Sequence, residues 1–187
     1  EKKNDALALA SSNYVLSLDA DEALDQILRD SILKAKESFS ASAYRMNRCT
    51  NYCGQFIRHG SWYPDRKLRL FDKRTARWGG TNPHDKVELN QASPVLHLKG
   101  DILHYSYSSV ADHVAQNNKL STIAAQALFN KGKKAGFIKI VLSPLWAFIQ
   151  SFLLRAGFLD GFFGFVIAIQ IAHMTFLKYV KLYLLKK

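Results

Sequence analysis

Residues 14–24 read YVLSLDADEAL. The apolar side chains of Tyr14, Val15, Leu16 and Leu18 predict a buried strand over 14–18, which runs straight into Asp19, Asp21 and Glu22. Carboxylates packed this closely repel one another, so the chain must gain something from placing them together. From Glu22 to Ser38 the spacing of Leu24, Ile27, Leu28, Ile32 and Leu33 predicts a helix with acids in its first turn, where the dipole favours them. The stretch reads as strand, acidic loop and helix, and in open α/β sheets ligands bind at such loops. Asp19 and Asp21 can both reach one hard divalent cation, Mg²⁺ or Mn²⁺, that prefers oxygen ligands and keeps part of its shell for phosphate. The same acids equally suit a solvated helix N-terminus, with Glu22 and Asp25 serving the dipole.

Working outward, Glu1 to Ser12 is Ala-rich and helix-compatible. Downstream, SAYRMNRCTNY, GQFIRHGSWY and KLRLF (67–71) predict strands, and Val87–Leu89, Val95–Leu98 and Ile102–Tyr105 predict further short ones separated by Pro94 and Gly100. From Ser108 onward the pattern is helical: an amphipathic helix over 109–131, a second with Pro144 near its start, and Gly157 to Gly164 punctuating two apolar runs. The expected organisation is an α/β region over 1–130, which the resemblance given below makes the C-terminal part of a catalytic domain, and a helical, basic, apolar region over 131–187.

Composition narrows the function classes. The chain has 187 residues, 48% of them hydrophobic, enough for a real core. Cys49 and Cys53 are too few for a disulfide framework, and without a second Cys or His pair their spacing is a poor zinc signal. Formal charge is +11, and from 131 to 187 nine Lys or Arg face one acid, Asp160. That basic third is also the most apolar: IVLSPLWAFIQSFLL (140–154) is uncharged, and GFFGFVIAIQIAHMTFL (161–177) carries only His173. Each run is just short of the ~20 apolar residues of a straight membrane-spanning helix. Aromatics among aliphatics, with lysines at both ends, suit helices lying in a membrane interface beside anionic lipid. A buried helical hairpin of a soluble oligomer accounts for the same pattern. The lysines flank apolar runs and do not line a polar face with interleaved aromatics, so no nucleic-acid partner is expected.

Several segments in order carry a resemblance. YVLSLDADEAL, with Lys3 to Leu7 before it, WYPDRKLRLFDK (62–73), RWGGTNPHDKV (77–87) and DILHYSYSSVADHVAQNNKLSTIAAQAL (101–128) resemble segments of the inverting family-2 glycosyltransferases. GFLDGFFGFVIAI (157–169) resembles the C-terminal membrane-associated region of their lipopolysaccharide-core glucosyltransferase branch. The resemblance covers essentially the whole chain. It implies the C-terminal part of a GT-A nucleotide-diphospho-sugar transferase fold, α/β in class, followed by membrane-associated helices.

The resemblance also implies roles. Asp21, with Asp19 assisting, would hold the Mg²⁺ or Mn²⁺ that grips the diphosphate of a nucleotide sugar, most simply a UDP-sugar. Asp85 would be the base that takes the proton of the acceptor hydroxyl. That branch more often has His-Glu where this chain has His84-Asp85, one methylene shorter. His104 in LHYSY falls where relatives place a residue near diphosphate or metal, and His84 would orient the base or meet phosphate. Arg66 and Arg69 suit the donor diphosphate, although a solvated basic strand face explains them as well. Trp62 and Trp78 are surfaces on which an acceptor sugar could stack, although burial is the default for Trp.

The expected partners are a nucleotide-sugar donor, a lipid-linked glycan acceptor and the membrane surface. The expected location is the cytoplasmic face of a bacterial inner membrane, peripheral or monotopic. The first nucleotide-binding strands of the family are not recognised here, so the polypeptide alone is expected to be inactive. A non-catalytic membrane-associated scaffold that kept the fold is the alternative.

Overall fold

In the computed structural model, which describes residues 2–80, 85–90 and 93–185, the acidic stretch departs from its periodicity. The first strand, β1 (Tyr14–Leu16), ends early, and Glu22–Leu24 forms a second strand, β2, where a helical turn was expected. Helix α2 (Gln26–Glu37) begins only after Asp25, whose carboxylate Oδ1 accepts the Leu28 N–H at 2.7 Å as an N-cap. Tertiary pairing has outweighed helical spacing: Glu22, Ala23 and Leu24 lie opposite His104, Leu103 and Ile102 of β8 (Val95–Tyr107). Of the expected apolar face of α2, Leu28 and Ile32 pack inward, while Ile27 and Leu33 are exposed.

The remaining elements are α1 (Lys2–Leu9), β3 (Ala43–Tyr52), β4 (Gln55–Phe56), β5 (Asp65–Asp72), β6 (Ala76–Gly79), β7 (Lys86–Leu89), α3 (Val110–Asn130), α4 (Phe137–Ile149) and α5 (Gly161–Leu184). A sheet runs in the order β1-β5-β3-β8-β2, with β4 joined to β3, and β6 pairs with β7 in a separate ribbon. The ladders of β1 with β5, β3 with β5 and β2 with β8 are antiparallel, so a ligand rule built on parallel sheets does not place the acidic loop. The two short strands expected on either side of Gly100 are one strand, β8. Gly100 has φ +97°, and a side chain there would meet the Leu28 backbone and the Asp25 carboxylate, so glycine lets β8 pass the start of α2.

The chain divides into two units, 1–49 with 65–104, and 50–64 with 105–187. In the first, Leu28, Tyr44, Met46, Leu70, Leu98 and Ile102 form one buried cluster, and Ala43, Phe71 and Ala76 form another with Leu7, Leu68, Val87 and Leu89 around them. This is the alternation of β3 and β5 expressed as two apolar faces. In the second, Tyr52, Trp62, Tyr107, His113 and Phe163 gather edge-on and stacked. Helix α3 groups with this unit, and Lys181 of α5 donates to Asn118 Oδ1 and to the Ser121 and Thr122 hydroxyls at 2.7–2.8 Å.

Also in the second unit, α4 continues through a π turn (Gln150–Leu154), so that 137–154 forms one apolar stretch of 18 residues, and Gly157–Leu184 forms another of 28. Both are long and apolar enough to cross a membrane by length and composition, which exceeds what the uncharged runs alone suggested.

Candidate functional site

The first unit contains a cavity of about 450 Å³ bordered by Lys3, Asp19, Arg48, Arg66, Lys67, Leu68, Arg69, Trp78, Asp85, Lys86 and Val87. Its position follows from where β1 stops. β1 pairs with Leu70, Phe71 and Asp72, and the Ser17 N–H adds one bond to the Arg69 carbonyl, so β1 leaves the edge of β5 at 66–68 uncovered. Four consecutive residues, 66–69, can therefore border the same space. Opposite Tyr44 and Arg45 the register jumps from Leu70 to Leu68, making Arg69 the extra residue of a β-bulge. A bulge re-aims the side chain it carries, here toward the acidic loop.

Arg69 is 5% exposed, and its Nη2 donates to Asp19 Oδ2 at 2.8 Å and to Glu22 Oε1 at 2.9 Å. Glu22 is fully buried at its side chain; its Oε2 accepts the Asp19 N–H at 3.0 Å, and Arg48 lies 3.6 Å from Oε1. Burial by itself would raise the Asp19 carboxyl, but Lys3 and Arg69 outweigh it and hold the group below the usual carboxylate range. The acids at the strand end are thus largely explained by cations. Arg69 Nε is buried without a hydrogen-bond partner.

Asp21 faces elsewhere. Its Oδ2 lies 3.1 Å from His104 Nε2, so the structure gives the two aspartates of the loop different partners. Burial, then the nearby Arg48 guanidinium, pushes the His104 imidazole below its usual range against the pull of Asp21 and Glu22. A neutral ring donating from Nε2 to Asp21 leaves Nδ1 a lone pair, and Nδ1 is buried without a partner. Among the described residues no three His, Cys, Asp or Glu side chains converge as a metal cluster. In this tautomer the Nε2 that faces Asp21 carries the proton, so a divalent ion between the two requires the other tautomer, with the proton on the buried Nδ1; the half-exposed Asp21 carboxylate is the oxygen ligand such an ion would take, with diphosphate oxygens and water filling the rest of its shell.

Of the other expected residues, Asp85, Arg66 and Trp78 border the cavity. Trp78 is held by Asn4 of α1, which donates to the Trp78 carbonyl at 2.9 Å and accepts its N–H at 3.0 Å. Lys3 Nζ sits 4.2 Å from the Trp78 ring centre, and the Arg69 guanidinium 5.4 Å from it. Trp62 packs instead in the aromatic cluster of the second unit, against Tyr52 and Tyr107. His84 lies outside the described residues. Lys3, Asn4 and Arg48 were given no role from sequence, and Glu22, one of the three clustered acids, was read only as serving a helix dipole and not as a buried partner of Arg69.

No family model matches the chain. It is 30% identical over 97% of its length to an uncharacterized glycosyltransferase of Rickettsia prowazekii (strain Madrid E), and equally so to one of Rickettsia typhi (strain ATCC VR-144 / Wilmington). Over the same share it is 24% identical to the lipopolysaccharide core biosynthesis glycosyltransferase LpsC of Rhizobium meliloti (strain 1021). The relatives bear the name glycosyltransferase. The chain spans 65% of the length of the two rickettsial relatives and 68% of LpsC.

Proposed function

We propose that this chain is the acceptor-side and metal-side part of an inverting glycosyltransferase of the family-2, GT-A kind. It would move a sugar from a nucleotide-diphosphate donor to a lipid-linked glycan, as in lipopolysaccharide core synthesis. The observation that carries the reading is the Asp21–His104 pair, which joins the acidic loop to β8 in the same unit that places Asp85 on a sugar-sized cavity. The names of the relatives point the same way.

In this mechanism the acceptor hydroxyl oxygen forms a bond to the anomeric carbon of the donor while its proton passes to the Asp85 carboxylate. The bond from that carbon to the diphosphate oxygen breaks on the opposite face, its electron pair leaving with the diphosphate. Asp21 and His104 would hold Mg²⁺ or Mn²⁺, which when bound supplies positive charge to the departing diphosphate. Arg69 holds Asp19 in place. Trp78 provides a flat wall on which a pyranose can rest.

The second unit supports a membrane location. Phe137 and Ile138 are 79% and 73% exposed, Leu142, Leu145, Trp146 and Phe162 are also exposed, and basic residues flank the apolar stretches. A lipid-linked acceptor at the cytoplasmic face of the inner membrane would meet the enzyme there.

The test is an assay of the full reading frame that encodes this chain, purified in detergent, for hydrolysis of a panel of nucleotide sugars with Mg²⁺ or Mn²⁺. Metal-dependent turnover of one donor, abolished by Asp21→Ala, is the expected result. Absence of both turnover and nucleotide binding would leave the scaffold reading standing.

A further inference from the structure

We infer that the groove between α4 and α5 holds the headgroup phosphate of one anionic membrane phospholipid, clasped by Lys139 and Lys178. The inference rests on the membrane location proposed above and not on sugar transfer. Its basis is the charge inventory of the second unit and the place where two cations of that unit meet.

The groove has a volume of about 460 Å³ and is bordered by both helices. Ser143 and Trp146 of α4 and Gln150 of its π turn recur at helical spacing on one side, and Thr175, Lys178 and Tyr179 of α5 do so on the other. Lys139, one turn before Ser143, extends the α4 row. The Nζ atoms of Lys178 and Lys139 lie 4.6 and 5.3 Å from the centre of the same Tyr179 ring. A ring face attracts an ammonium by about 1 kcal/mol at an exposed site, but it leaves the charge in place. Two ammonium groups drawn to one ring repel each other, so the pair gains from an anion set between them.

No carboxylate of the unit serves that purpose. Its sequence holds two, Asp112 and Asp160. Asp112 accepts the Ser108 and Ser109 hydroxyls at the start of α3. Asp160 accepts the Arg58 and His59 N–H groups and faces His59 Nδ1 at 3.0 Å. It also precedes α5, roughly 27 Å along the helix from Lys178 at 1.5 Å per residue. Lys181, one turn beyond Lys178, shows the contrasting arrangement, since the Asn118, Ser121 and Thr122 oxygens of α3 take its protons.

The rest of the groove fits a lipid better than a free anion. Trp146 and the neighbouring Leu142 border it and are exposed, forming an apolar rim for the first carbons of an acyl chain. The Ser143 hydroxyl and the Gln150 amide add donors for phosphate oxygens. A zwitterionic headgroup would bring its own cation beside two lysines, and an anionic one does not.

The chain is bound to phosphatidylcholine vesicles containing a small share of phosphatidylglycerol, with the same small share of brominated lipid supplied as phosphatidylglycerol in one set and phosphatidylcholine in the other. The part of the tryptophan quenching that is lost in Trp146→Phe reports the groove. Per brominated molecule, phosphatidylglycerol should quench about tenfold more effectively, the ratio expected for one charge-assisted contact. In Lys139→Gln/Lys178→Gln the ratio should fall toward one. Lys133→Gln/Lys134→Gln removes the same charge from the loop before α4 and should keep most of the ratio, both variants matching the parent by circular dichroism. Millimolar glycerol 1-phosphate should leave the ratio unchanged. A ratio near one in the parent, an unchanged ratio in the groove variant, or an equal fall in the loop variant overturns the inference while membrane binding stands. Reversal by glycerol 1-phosphate also overturns it, by giving the groove to a soluble phosphate. Failure to bind either vesicle set removes the inference and the membrane location together, and none of these outcomes bears on sugar transfer.

Discussion

At the scale of single residues, buried charge and buried imidazole give the sharpest expectations. Glu22 is enclosed with Arg69 and Arg48, so Glu22→Ala removes a carboxylate from cations that remain buried. Destabilisation of about 3 kcal/mol is expected, the cost typical of breaking one side of a buried pair, read from urea unfolding. His113 is 2% exposed with Nδ1 3.1 Å from the Tyr52 hydroxyl, and burial lowers its pKa to about 4 while burial chiefly raises Tyr52 to about 12. A histidine with a depressed folded pKa keeps its full contribution above its unfolded value, near 6.5, and loses it as pH falls toward 4, because the unfolded chain binds the proton first. The chain should therefore lose about 3 kcal/mol between pH 7 and pH 4 through this group. Urea midpoints for the parent should drop over that window more steeply than those of His113→Gln; parallel curves would refute the assignment.

At the scale of elements, one glycine and one aspartate hold pieces in register. Gly164, in the first turn of α5, leaves room for the Gly157 carbonyl, which a methyl group would overlap. Gly164→Ala should cost about 2 kcal/mol or more through overpacking and lower the melting temperature. Asp25 caps α2 through Leu28 and ties it to β8 by accepting the Asp101 N–H at 3.0 Å on its second oxygen. Asp25→Ala should cost about 2 kcal/mol, a cap and a buried hydrogen bond together, and should speed amide exchange at Leu28 and Asp101. The identities of α1, α2, β3, β5, β7 and α3 were legible from periodicity. The start of α2 was not, because Glu22–Leu24 satisfies its backbone by pairing with β8, a partner about 80 residues distant that no local window contains.

At the scale of the whole molecule, the apolar exposure of α4 and α5 predicts binding to lipid. The chain should co-sediment with vesicles containing anionic lipid, less so with neutral ones, and the difference should shrink at high salt as the flanking lysines are screened. A Phe137→Ser/Ile138→Ser/Trp146→Ser variant should bind several-fold more weakly to both vesicle types, since each position loses apolar area to water. Equal sedimentation of parent and variant would favour a covered hairpin over a membrane face.

The sequence by itself determined the α/β character, the clustering of acids after the first strand, and the basic, apolar C-terminal third, because composition and periodicity are local properties. Tertiary structure decided which acid meets which cation. The bulge at Arg69 turned Asp19 and Glu22 into its partners and left Asp21 to His104, and the early end of β1 opened the edge of β5 on which the cavity forms. Those choices depend on strand register between distant segments, and register is fixed by packing on both faces of a sheet, not by any one stretch of chain.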